Sequence, residues 1–76
     1  MELDLHGKTL YQARIMLDAA LRRANASDYR LKIIHGHTRG TAIRDMLRED
    51  YLPHPKVLRL ETSPNPGETI LVLREY

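Results

Sequence analysis

The sequence predicts an α/β two-layer sandwich, ordered β-α-β-α-β-β, with two helices on one face of a mixed four-stranded sheet. Three observations predict it. Two strand-like segments, residues 2 to 5 and 29 to 34, are joined through one amphipathic helix. A third strand and a fourth are joined by Ser63-Pro64-Asn65-Pro66-Gly67, which is strong turn chemistry. The fourth strand carries Thr69-Ile70-Leu71-Val72-Leu73, a run without polar alternation, as expected of a strand inside a sheet and at least partly covered on both sides.

Glu2-Leu3-Asp4-Leu5 alternates with the period of a strand that buries one face, and Gly7 ends it. Thr9-Leu10-Tyr11-Gln12 reads as a capping box, in which the Thr9 hydroxyl accepts the Gln12 amide and the Gln12 side chain reaches back. Leu10, Ala13, Leu17, Ala20, Leu21 and Ala24 follow at helical spacing, and Asn25 is the expected stop. Tyr29 to Ile34 is the second strand. A second helix is expected from Gly40 or Thr41 to about Tyr51, with Ile43, Met46, Leu47 and Tyr51 inward, stopped by Pro53 and Pro55. Val57 to Glu61 is the third strand and Glu68 to Arg74 the fourth. The helix between the first two strands makes them parallel, with a right-handed crossover, and the last two form an antiparallel hairpin. The expected core is Leu10, Ala13, Leu17, Ala20, Leu21, Ile33, Ile43, Leu47, Leu58, Leu60, Leu71 and Leu73.

At 76 residues the chain is expected to be one domain, 1 to 76, with a thin stability margin. It has no cysteine, so disulfides, thiolate nucleophiles and cysteine-based zinc sites are excluded. No apolar run reaches membrane-spanning length and no secretory signal is visible, so a soluble cytoplasmic protein with no membrane partner is expected. The net charge is only +2, but nine of the twelve basic residues are Arg, which suits bidentate phosphate binding. With no Phe or Trp and four Tyr, a base-stacking platform is poorly supported.

The chemistry gathers at two strand ends. His6-Gly7 leaves the first strand and His35-Gly36-His37-Thr38-Arg39-Gly40 leaves the second. Parallel strands project both loops from one edge, where α/β folds bind ligands. Asp4 and His6 share one parity, so they point to one face, opposite Leu3 and Leu5. Taken singly, Asp4 reads as a solvated strand residue and His6 as a hydrogen-bonded loop histidine; together with His35 they read as a site. The glycine-flanked loop precedes a helix N-terminus, whose amides attract phosphate, and Arg39 and Arg44 add charge. It is neither a Walker loop nor a dinucleotide fingerprint, and the same glycines are common at purely structural turns. His35-x-His37 with His6 or Asp4 resembles a metal-ligand spacing, but hydrogen bonding explains it as well, so neither metal nor cofactor is expected. His54, between two prolines, reads as a surface residue.

Leu3-Asp4-Leu5-His6-Gly7, followed by Thr9 and a helix, resembles the opening motif of the Smr (small MutS-related) domain. Leu31-Lys32-Ile33-Ile34 with His35-Gly36 and the glycine loop is similar to that family's second motif, with His35, Gly36 and Gly40 matching and Thr38 standing where a middle glycine is usual. The resemblance covers nearly the whole chain. It implies a fold like the C-terminal domain of translation initiation factor three. It also implies a free-standing nucleic-acid-binding domain, for RNA or DNA, with metal-independent nicking or RNA-cleaving endonuclease activity. On that reading Asp4, His6 and His35 are catalytic, and Gly7, Gly36, His37, Thr38, Arg39, Gly40 and Arg44 hold phosphate. A non-catalytic nucleic-acid-binding module and a small protein-interaction domain with structural histidines remain as alternatives.

Overall fold

A computed structural model of the chain describes residues 1–36 and 40–75. His37, Thr38 and Arg39, which the sequence marks as phosphate-binding candidates, lie outside the described residues. The elements are β1 (Glu2–Asp4), α1 (Leu10–Arg23), β2 (Arg30–Ile34), α2 (Ala42–Met46), β3 (Arg59–Thr62) and β4 (Glu68–Val72). A π-helical turn, Leu47–Tyr51, continues α2.

The capping box forms as the sequence predicts. The Gln12 amide donates to Thr9 Oγ1 at 3.1 Å, and the Thr9 amide donates to Gln12 Oε1 at 3.0 Å. At the other end of α1, Lys56 Nζ donates to the Leu21 carbonyl at 2.8 Å, and Arg22 and Arg23 add positive charge to the last turn, where the helix dipole favours it.

The sheet order is β1-β2-β4-β3. β1 and β2 are parallel; β4 is antiparallel to both β2 and β3. β4 is therefore an interior strand, as its unbroken apolar run suggests. The register aligns Leu3 with Ile33, Leu31 with Leu71 and Leu60 with Leu71. Alternation then places Leu3, Leu5, Leu31, Ile33, Thr69, Leu71 and Leu60 on one face, and Asp4, Lys32, Ile34, Ile70 and Val72 on the other.

Both helices pack on the first face. Ala13, Leu17, Ala20 and Leu21 of α1 share one cluster with Ile43, Met46, Leu47 and Tyr51 from α2 and its π turn, and with Leu5, Leu31, Ile33, Val57 and Leu71. Leu5, Leu17, Leu21, Leu31, Ile33, Leu47 and Leu71 are fully buried. Each such side chain contributes roughly 1.5–3 kcal/mol relative to exposure.

Two expected core residues lie outside this cluster. Leu10 is 41% exposed because it is the first residue of α1, at the rim of the helix layer. Leu58 is 54% exposed because it precedes β3 at the outer edge of the sheet, while its neighbour Val57 turns inward and is buried. Leu60 and Leu73 are half-buried against the cluster. Val72 is fully buried on the other face, flanked in register by Arg30 and Arg59.

Candidate nucleic-acid interface

The pairing of β1 with β2 continues one residue past the strand, with the Leu5 amide donating to the Ile34 carbonyl at 2.7 Å. The chain then turns at His6-Gly7, closed by the Lys8 amide on the Leu5 carbonyl at 3.1 Å. Gly7 has φ +76°, a left-handed conformation that a side chain would strain. Gly36, just past β2, has the same conformation, with φ +78°. A Cβ built on Gly36 would stand 3.8 Å from the Cβ of His6, so the two His-Gly turns lie side by side.

Asp4 and His6 meet as their shared parity predicts. His6 Nδ1 lies 2.6 Å from Asp4 Oδ1, and the His6 backbone amide donates to the same oxygen at 3.1 Å. The His6 ring, and then its amide, hold the Asp4 carboxyl below the usual carboxylate value, with a smaller electrostatic contribution from Lys8. An ionised carboxylate only accepts hydrogen bonds, so His6 Nδ1 is the donor. In the neutral ring this leaves the lone pair on Nε2. Both side chains are more than half exposed.

His35 does not join this pair. It follows β2 with the parity of Leu31 and Ile33, which places its ring on the helix-covered side of the sheet, and it is the one buried polar residue among those described. Its Nδ1 donates to the Gly36 carbonyl at 2.7 Å, and its Nε2 lies 2.8 Å from Thr69 Oγ1. Both ring nitrogens are thus engaged inside the fold. Thr69, on β4, is a partner that sequence reasoning missed. Finding it requires the β2–β4 register, which pairs Thr69 with Ile33. Lys8 was also missed, and its signal was only its place one residue after the first motif.

The loop reaches α2 through Gly40, whose φ is +106°. Thr41 stands at the N-cap without capping an amide; its hydroxyl donates instead to Asp45 Oδ2 at 2.8 Å. Among the described residues, therefore, no N-cap side chain holds the first amides of α2. Arg44 sits one turn in, 3.9 Å from Asp45, and lines a groove of ≈ 540 Å³ with Arg48, Leu52, Leu60, Thr62 and Thr69. Among the described residues no group of three or more His, Asp or Glu side chains is arranged to hold a metal ion, and no helix is long and apolar enough to cross a membrane. His54 stacks on Tyr51, with ring centroids 6.0 Å apart.

Comparison with known proteins agrees with this architecture. The family model described as the Smr domain matches residues 3–69. Among solved structures, the crystal structure of the Smr domain of Thermus thermophilus MutS2 is similar, with a TM-score of 0.83 and 30% sequence identity, over 97% of this chain and 98% of that one. No curated protein matches the chain. The family match takes in both His-Gly turns and everything between them, and the structural match spans the four strands and two helices: the chain belongs to the Smr domain family.

Proposed function

We propose that this domain binds the phosphate backbone of a nucleic acid at the edge formed by the two His-Gly turns and cleaves it there, with RNA as the preferred substrate. The observation that carries the reading is the exposed Asp4–His6 pair, joined at 2.6 Å through Nδ1. Asp4 fixes the tautomer, and Nε2 faces outward as a base. Imidazole suits proton transfer near neutral pH. RNA supplies an internal nucleophile. Nε2 takes the proton of a 2′-hydroxyl, the 2′ oxygen attacks the adjacent phosphorus, and the bond to the 5′ oxygen breaks. That oxygen takes a proton from solvent. The products are a 2′,3′-cyclic phosphate and a 5′-hydroxyl.

Binding would rest on Lys8, Arg44, the uncapped amides at the start of α2, and the loop of Gly36, His37, Thr38, Arg39 and Gly40. The membership in the Smr family, whose members include nucleic-acid-nicking and RNA-cleaving domains, supports the same reading. The test is cleavage of end-labelled single-stranded RNA at low salt, with and without a chelator. Cyclic-phosphate ends are expected, together with protection by a 2′-deoxy substitution at the cut. Protein that neither binds nor cuts RNA or DNA at low salt overturns the reading. The engagement of both His35 nitrogens favours a second reading, a binding module that does not cleave; salt-dependent RNA binding without product marks that case.

A further inference from the structure

Four hydrogen bonds converge on His35-Gly36. The His35 and Gly36 amides both donate to the Gly67 carbonyl, at 2.9 and 3.0 Å. His35 Nδ1 donates to the Gly36 carbonyl, and Thr69 Oγ1 closes the set on Nε2. The chemistry of these partners fixes the ring. A carbonyl has no proton to give, so Nδ1 must carry one. In neutral His35 the Nε2 is then a buried lone pair in need of a donor, and the Thr69 hydroxyl is the group beside it. Gly36 has no side chain with which to hold its own peptide, yet its backbone runs beside His6, where an added Cβ would stand 3.8 Å from the His6 Cβ.

We propose that Thr69 is a positioning residue for the Asp4–His6 site. It acts through His35, which serves as a neutral Nδ1–H latch on the Gly36 carbonyl and not as a proton shuttle. Hydrogen bonds link the Thr69 hydroxyl, the His35 ring and the Gly36 carbonyl, and the Gly36 backbone lies beside His6. Without the hydroxyl, Nε2 is left as an unpartnered lone pair, and the ring loses the contact that fixes its rotation. A ring free to turn carries its Nδ1–H off the Gly36 carbonyl and releases the backbone beside His6. Thr69 itself touches no substrate in this scheme.

The effect on cleavage rests on the function proposed above, whereas the latch does not, and the test separates them. The full chain is labelled with ¹⁵N-histidine and its ring nitrogens are read by NMR at mildly alkaline pH, for wild type, Thr69→Val and Thr69→Ser. Wild-type His35 is expected with protonated Nδ1 and bare Nε2. Thr69→Val should change the His35 ring signals and move the Gly36 and His6 amides, and Thr69→Ser should restore them. In the cleavage assay Thr69→Val should lower kcat roughly tenfold, about the effect of one lost hydrogen bond on a barrier, with KM little changed and recovery in Thr69→Ser. An Nε2–H tautomer in the wild type overturns the latch without recourse to any variant. Gly36 and His6 amides unmoved by Thr69→Val, or a kcat loss that Thr69→Ser does not recover, overturns the positioning role. A wild-type protein that shows the latch but cuts no RNA overturns the cleavage reading and the positioning role that depends on it, leaving the latch as a feature of the fold.

Discussion

The two His-Gly turns are the same dipeptide with nearly the same backbone, φ +76° at Gly7 and +78° at Gly36, yet their histidines live differently. His6 leaves an edge strand with its side chain 69% exposed and its Nδ1 on Asp4. His35 leaves an interior strand with the opposite parity, is 8% exposed, and has both nitrogens occupied by Gly36 and Thr69. The proton transfer proposed for His6 needs one nitrogen held and the other open to a substrate. Among the described residues the first turn has that arrangement and the second does not. Parity along the strand decides which, because one residue's shift moves a side chain from one face of a sheet to the other.

The largest expected effect tests the first turn. His6→Ala should lower RNA cleavage by about 100-fold or more, the usual range for a general base, and leave the melting temperature near that of wild type. Rate measurement under saturating enzyme together with a thermal melt checks both halves. Cleavage that survives the substitution would erase the distinction between the turns.

For the second turn the expected damage is to stability. His35→Ala leaves the Gly36 carbonyl and the Thr69 hydroxyl without their partner, at a cost of roughly 1–3 kcal/mol. Urea unfolding measures it. Wild-type stability in that variant would mean the ring is not held as described.

Much of this contrast was legible in the sequence. The Asp4–His6 pairing follows from two-residue spacing on a strand, and the adjacency of the turns follows from parallel β1 and β2. The interior place of β4 follows from Thr69 to Leu73. The engagement of His35 was not legible, although its parity with Ile33 is visible in the chain, because its partner Thr69 lies 34 residues away and is reached only through the β2–β4 register. Leu10 and Leu58 misled for a related reason. Periodicity assigns a face, but exposure at an element's end depends on how far the opposing layer extends. The π turn at Leu47–Tyr51 also left no mark, since Leu47 and Tyr51 keep a spacing that an ordinary helix satisfies equally.

A second carboxylate pair sharpens the comparison of buried with exposed. Tyr51 is 4% exposed, and its hydroxyl donates to Asp18 Oδ1 at 2.7 Å. Burial first, and the Asp18 carboxylate second, push the phenol well above its usual value. Because the folded-state pKa is raised, the contribution of this group is fully present below the unfolded phenol value, about 10, and is lost as pH rises beyond it. Tyr51→Phe should cost about 1 kcal/mol at neutral pH, and the gap should close in alkaline solution. Urea unfolding of both proteins across that range checks it. A gap that widens with pH would reverse the assigned direction.

The smallest stability effect belongs to Asp4, and it has the opposite sign with pH. The folded carboxyl is held below its usual value, chiefly by the His6 ring. A depressed carboxyl contributes stability above the unfolded carboxylate value, about 4, and loses it as pH falls through the folded value. The pair is exposed, so solvent and salt screen it, and the difference between wild type and Asp4→Asn should be slight at neutral pH and smaller still at high ionic strength. In acid Asp4 is protonated and resembles the amide, so the two stabilities should converge. Denaturant titrations along a descending pH series, at two salt concentrations, follow the convergence. A stability gap that is large, indifferent to salt and constant into acid would place Asp4 in a structural role, and the two turns would then differ in exposure alone.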